Sequence, residues 1–260
     1  TISGSDEARM PFQELAAVAS CTLIEEVGST GVGALTLAMI ILGVSSVVFF
    51  TKAVKAGEAK KFYMCAVYVN AFAAIFTYSA LAGQGWTTDR YCRQLFYSRY
   101  IDGLICNSIL VFLLGLIADS NTTDITSAVG ANILYVLATA AASLSIPFEV
   151  RWLWFLISLL GLAGVITGLA AFKLNVQSKG GELDALYSKM SYITIGCFCV
   201  QALVWVFAQG FNSFSVSLEM TCYALVDVVG KTVVCALLFG ADAALNGEGE
   251  PESEEAKEVV

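Results

Sequence analysis

The stretch EMTCYALVDVVGKTVVCALLF, Glu219 to Phe239, decides the fold. It is long enough to cross a bilayer, which takes about 20 mostly apolar residues. Yet it carries Lys231 at its centre, with Asp227 four residues earlier. Residues four apart share one helix face, so the two charges meet the same neighbours. Ionisable groups at that depth are expensive and mark function by default. A desolvated lysine amine is a nucleophile toward an aldehyde, and the cationic imine it forms needs counterions. Asp227 supplies one. Asp102 in another apolar stretch can supply a second, with Arg99 near the outer end balancing the excess negative charge.

The rest of the chain agrees with a membrane setting. Of its 260 residues 57% are hydrophobic and 14% charged, with no histidine, and the mean hydropathy is +0.74. Ordinary domains are about 45–50% apolar and about 25% charged. A soluble enzyme, a nucleic-acid binder and a disordered protein are therefore excluded, as are an imidazole base and metal sites built on imidazole. No nucleotide site, metal site or nucleophile with its base is visible, so no enzymatic activity is expected.

Seven apolar runs read as spans, at roughly 29–54, 61–84, 93–118, 124–145, 151–173, 187–210 and 217–244. Their length indicates helices, since barrel strands need only about 10 residues. The expected fold is an all-α bundle of seven transmembrane helices over 29–244, between an N-terminal segment 1–28 and an acidic tail 245–260. The loop near 174–186, with its Gly-Gly break, is the longest connection.

Lysine and arginine counts set the orientation. With the N-terminus outside, the inner side holds Lys52, Lys55, Lys60, Lys61, Lys173, Lys179, Lys189 and Lys257, and the outer side Arg9, Arg90, Arg93 and Arg151. That imbalance favours an extracellular N-terminus. The tail, with Glu248, Glu250, Glu252, Glu254, Glu255 and Glu258, is then cytoplasmic, solvated and the candidate contact for a cytoplasmic partner. The Asn121-Thr-Thr glycosylation acceptor falls on the wrong side and is discounted. Thr1 to Phe12 shows no basic run followed by an apolar one, so no signal peptide is expected. The eight cysteines lie mostly in apolar runs and read there as small buried hydrophobes.

RQLFYSRYIDGL (93–104) followed by ALVDVVGK (224–231) resembles the microbial, type 1, rhodopsins, closest to their fungal-like branch. FTKAVKAGEAKKFY (50–63), RWLWFLIS (151–158) and SLEMTCYALVDVVGK (217–231) extend the resemblance over 29–244. It implies retinal carried by Lys231 as a Schiff base. Asp102 is then the primary counterion and proton acceptor, Asp227 the second counterion and Arg99 the gating arginine. Trp205 would flank the ring end of retinal, and Ser158 and Leu162 line its pocket. Glu219 matches one acid of an extracellular proton-release pair. The other is not visible, because the matching loop reads AQGFNS (208–213).

Departures from that pattern bear most on function. Pumps of the family carry a carboxylic proton donor eleven positions after the primary counterion, where this chain has Leu113. Asp119, the next acid, falls at the helix end. The usual polyene-packing tryptophan is Gly103, with Tyr135 as one candidate for filling the gap. The usual Thr-Thr-Pro is Cys106, Asn107, Ser108, and the usual aspartate of helix four is Asn132. Cys106 or Asn107 could link to Asn132. Phe198, Gln201 and Ala202 replace Trp, Tyr and Pro in helix six. Phe155 replaces the second tryptophan of helix five, and Thr77 replaces a helix-two tyrosine. The three prolines, Pro11, Pro147 and Pro251, all lie outside the spans. The helices therefore lack proline kinks, and helix six is expected to be straighter.

These features favour a slow photosensory or photochromic rhodopsin, an integral protein of the plasma membrane. A light-driven proton pump or light-gated channel is the alternative reading. The lipid bilayer is the expected environment, and a second copy of the chain a further candidate partner.

Overall fold

The computed structural model describes residues 21–179 and 181–246. Seven helices form one bundle: α1 Ser29–Ala53, α2 Gly57–Leu81, α3 Ser98–Ile117, α4 Thr122–Leu144, α5 Phe148–Ser178, α6 Gly181–Gly210 and α7 Val216–Leu245. Their outward faces are apolar, with Leu37, Leu160, Leu203 and Leu225 all exposed. Such a surface is stable only against lipid. The seven-span bundle expected from sequence is present. Pro11, Pro251 and the acidic tail beyond Asn246 lie outside the described residues.

Local signals set the helix ends. Asn121 caps α4, its Oδ1 accepting from the Asp124 amide at 2.8 Å while its amide donates to Asp124 at 2.7 Å. The glycosylation-like asparagine is thus a helix cap. Ser215 caps α7 through the Leu218 amide at 3.2 Å. Asp119 ends α3 with a left-handed backbone, φ 49°, and is exposed.

Two boundaries differ from the sequence reading. The third span begins at Ser98 and not at residue 93, because Trp86–Thr88 (β1) and Gln94–Phe96 (β2) pair as an antiparallel hairpin. Residues of β2 are apolar enough to pass for a helix start. The expected loop at 174–186 is nearly all helix, since α5 and α6 meet at a sharp turn where Gly181 has φ 69°.

The cysteine reading also needs correction. Cys21 and Cys92 form a disulfide across the hairpin tip. Both stand outside the spans, so the hydrophobe argument does not reach them. The disulfide ties the segment before α1 to the hairpin. There the Glu25 amide donates to Cys92 O and the Gln94 amide to Glu25 O, each at 2.9 Å.

Without internal prolines the helices are still irregular. π-helical turns occupy Gly103–Asn107 in α3, Val206–Gly210 in α6 and Val228–Val233 in α7. Each widens the helix by one residue, a feature frequent at functional sites. Two of them flank Asp102 and enclose Lys231. The third means that α6, expected straight, is irregular at its last turn.

Small residues bring α4 and α5 together. A Cβ on Gly161 would lie 2.5 Å from Tyr135 N, on Gly164 2.9 Å from Ala131 Cβ, and on Gly168 2.8 Å from Ala128 Cβ. Close backbone approach of this kind drives helix association where lipid removes the hydrophobic incentive. Gly161→Ala is therefore expected to destabilise the bundle by about 1–3 kcal/mol through overpacking. Gly130→Ala, which meets nothing within 4 Å, should leave stability unchanged or raised. Thermal unfolding in detergent, followed by circular dichroism, distinguishes the two.

Candidate functional site

The centre of the bundle holds a charged triad. Lys231 is 3% exposed. Its Nζ touches Asp102 Oδ2 and lies 2.9 Å from Asp227 Oδ1. The π-turn of α7 carries the lysine, and Thr232 on the same turn donates to Asn70 Oδ1 of α2 at 2.7 Å. Asn70 itself donates to Ala66 O at 2.9 Å. This fixes the turn against α2. Among the described residues Asp102 Oδ1, buried beside the amine, has no hydrogen-bond partner.

Arg99 lines the same cavity as Asp102 and Asp227, but its hydrogen bonds go elsewhere. Its guanidinium donates to Glu219 Oε1 at 3.0 Å and to Tyr100 Oη at 2.8 Å. It also lies 3.6 Å from the centroid of the Tyr223 ring. Tyr100 Oη is 2.6 Å from Ser143 Oγ, which also accepts from Trp205 Nε1 at 2.7 Å. A polar chain thus runs from Arg99 to the indole of Trp205.

Glu219 is 2% exposed and faces a second cation. Arg93 Nη2 donates to its Oε2 at 3.0 Å, and Gln209 Nε2 to both oxygens at 3.0 and 3.2 Å. Arg93 and Arg151 count as rim charges by sequence, yet they are 1% and 0% exposed. Arg151 donates to carbonyls of Ser145 and Gln209 and stacks on Tyr91. Both arginines plug the hairpin end because loop carbonyls and Glu219 meet their N–H groups. Asp89, in the hairpin turn, accepts from the Tyr91 and Arg93 amides at 2.8 and 2.9 Å. Burial nevertheless pushes its carboxyl above the ordinary range, the two amide bonds opposing that rise.

Two adjoining cavities meet at the triad. One is lined by Arg99, Asp102, Gly103, Asn107, Tyr135 and Thr139, among others. The other is lined by Asn107, Cys197, Phe198, Gly230 and Lys231, and both share Gln201 and Asp227. Nine of the sequence-predicted residues, Lys231, Asp102, Asp227, Arg99, Gly103, Asn107, Tyr135, Phe198 and Gln201, therefore line this space. Phe155 and Trp205 do not line it. They stack on one another at 4.2 Å and 7°. Ser158 donates to Phe155 O at 2.7 Å, and Leu162 packs into the main apolar core.

Three details differ from the sequence reading. Asn132 bonds neither Cys106 nor Asn107 by side chain: its amide donates to Ser108 Oγ at 2.9 Å. The π-turn adds one residue, so a count at α-helical spacing falls one short beyond Asn107. Cys106 points to Val69 O at 3.4 Å. The side chain nearest to Gly103 is Val136, whose Cγ2 would lie 3.5 Å from an added Cβ, and not Tyr135. Thr77 donates to Ala73 O of its own helix at 2.8 Å.

Thr139, Cys197 and Tyr223 were missed. Tyr223 precedes Asp227 by four and Lys231 by eight, and Thr139 follows Tyr135 by four. Helical spacing from the named residues could have found both. Cys197 precedes Gln201 by four and carries the same signal.

Seven spans around a buried lysine and two carboxylates define a class of bilayer protein with an ionic core. The model of the bacteriorhodopsin-like proteins matches residues 29–245, and the chain belongs to this family of microbial rhodopsins. It is 24% identical over 223 residues to bacteriorhodopsin of Halobacterium salinarum, covering 83% of this chain and 85% of that relative. Opsin-1 of Neurospora crassa is 25% identical over 150 residues, 56% of this chain and 49% of that one. The solved structure of the light-driven proton pump LR (Mac) from Leptosphaeria maculans matches with TM-score 0.79 at 23% identity. It covers 85% of this chain and 99% of the other.

The triad makes a prediction free of any ligand. Lys231→Ala leaves two buried carboxylates facing each other, and loss of one partner from a buried pair costs about 3–5 kcal/mol. Combining it with Asp102→Asn and Asp227→Asn should recover most of that stability, as read from thermal unfolding.

Proposed function

We propose that this protein is a retinal photoreceptor of slow turnover, with Lys231 as the attachment site. The observation that carries the reading is Lys231 Nζ between two carboxylates, beside a cavity with Gly103, Asn107, Tyr135 and Gln201 on its walls. The residues fit the group. An amine is present for its aldehyde, two acceptors for the resulting positive charge, and Asp102 Oδ1 is unengaged. Bound retinal supplies light absorption and isomerisation.

The chain's own residues handle the proton. Asp102 Oδ2, in contact with Nζ, is the acceptor. Asp227, also at Nζ, keeps a negative charge beside the site after Asp102 is neutralised. Return of the proton from the other end is obstructed. Leu110, Leu113, Leu114 and Ile117 are all buried in one apolar cluster with Phe172 and Leu238. The one-residue offset of the π-turn puts Leu114 where the count otherwise puts Leu113, so both registers place leucine there. Among the described residues no carboxylate lies within that apolar cluster to act as internal donor, and general acid catalysis is worth about 10²–10⁴-fold.

The hairpin end is assigned to the outside. The Cys21–Cys92 disulfide belongs to an oxidising compartment, and Lys52, Lys60, Lys61 and Lys173 lie toward the opposite end, the side expected for positive charge. A plasma-membrane location and a partner for the acidic tail follow as proposals of the same kind.

A second reading, an outward proton pump, has the pump similarity and the carboxylate acceptor in its favour. Two results test the proposal. All-trans retinal should give a visible absorption band with the wild type and none with Lys231→Ala. Leu113→Asp or Leu114→Asp should speed dark recovery about 100-fold by supplying an internal acid. Unchanged recovery in both would mean that reprotonation does not limit the cycle.

A further inference from the structure

The buried cluster at the hairpin end supports an inference of its own. Among the described residues Glu219 has only N–H donors against its oxygens: Arg93 Nη2, Arg99 Nη1 and Gln209 Nε2. Guanidinium groups have five donors and no acceptor. A proton on Glu219 would therefore point at groups unable to receive its hydrogen bond. Gln209 could turn its amide and offer Oε1, which is buried and unpartnered. Both guanidinium groups would still lose a buried carboxylate, a strongly unfavourable change.

Arg93 is what makes the cluster unusual. It comes from the hairpin and not from a helix, and four contacts set its place. Nη1 donates to Ala208 O at 2.7 Å and to Asn212 Oδ1 at 3.0 Å. Nη2 holds Glu219 at 3.0 Å, and Nε lies 3.5 Å from Glu25 Oε2. Glu25 in turn accepts from the Val216 amide at the start of α7 at 3.0 Å. The neighbouring residue, Cys92, is tied to Cys21. The hairpin, the segment before α1 and the start of α7 all converge on this guanidinium.

We propose that Glu219 is an ionic latch and not a proton store, and that Arg93 is the positioning residue that closes it. By sharing Glu219 with Arg99, Arg93 keeps Arg99 engaged at the hairpin end and off the Asp102–Lys231–Asp227 triad. The exit on this side then releases no stored proton when Asp102 becomes neutral. Only this last consequence rests on the retinal reading; the state of Glu219 does not.

Infrared difference spectra of the full chain without retinal, in the dark at neutral pH, test the latch. Wild type minus Glu219→Gln should show carboxylate stretches as wild-type bands and no carbonyl stretch of a protonated carboxyl. The same subtraction in an Arg93→Gln background should show the carbonyl stretch appear, and Arg93→Lys should restore the carboxylate signal. A protonated carboxyl in the wild type, or an Arg93→Gln spectrum identical to the wild type, overturns the proposal. Should Arg93→Gln fail to fold, the wild-type comparison decides alone. With retinal, a pH dye outside vesicles should report no proton after a flash in the wild type before the dark recovery, and an early proton in Arg93→Gln. An early proton in the wild type also overturns it. A chain that forms no pigment contradicts the retinal reading, while the infrared spectra still decide the state of Glu219.

Discussion

A lysine ammonium held between two carboxylates in the middle of a bilayer protein is the constraint on which this structure turns. Charges at such depth persist only when paired. Lys231 meets Asp102 and Asp227, and Arg99 and Arg93 meet Glu219. Three cations and three anions thus balance within the core. The π-turns at Gly103–Asn107 and Val228–Val233 stand next to these charges. They adjust two helices locally, where proline kinks would bend them as a whole.

The bundle is polar at one end and apolar at the other. From the triad toward the hairpin run Arg99, Tyr100, Ser143, Glu219, Gln209 and Arg93, linked by hydrogen bonds. Toward the basic end Leu110, Leu113, Leu114, Ile117, Phe172 and Leu238 pack in one apolar cluster, with the Thr232–Asn70 pair beside it. Even the next polar contacts there are structural, with Lys52 and Tyr63 both bound to Asp242 and closing α1 and α2 against α7. On the proposed reading a proton leaves Lys231 easily and returns slowly. The asymmetry follows from side-chain chemistry and holds whichever register is used to count from Asp102.

Much of this is legible in the chain alone. Seven apolar runs, and Asp227 four residues before Lys231, are local patterns, and helical periodicity suffices to read them. Arg93 and Arg151 are not legible, because their burial depends on carbonyls and acids far away in sequence, such as Ala208 and Glu219. The Cys21–Cys92 pairing is hidden for the same reason. Ser108 as partner of Asn132 was missed because a π-turn shifts register by one, which no residue type announces. Phe155 and Trp205, placed by resemblance near a ring, stack on each other, and packing of that kind depends on neighbouring side chains that sequence order does not reveal.

On the proposed reading the proton reaches Asp102 quickly and returns slowly past the buried leucine cluster. Flash absorption of the retinal-loaded protein in an oriented membrane, recorded together with current, tests it most directly. A fast spectral change, a slow dark recovery and no sustained current under continuous light are expected. Millisecond recovery with a steady outward current would contradict it.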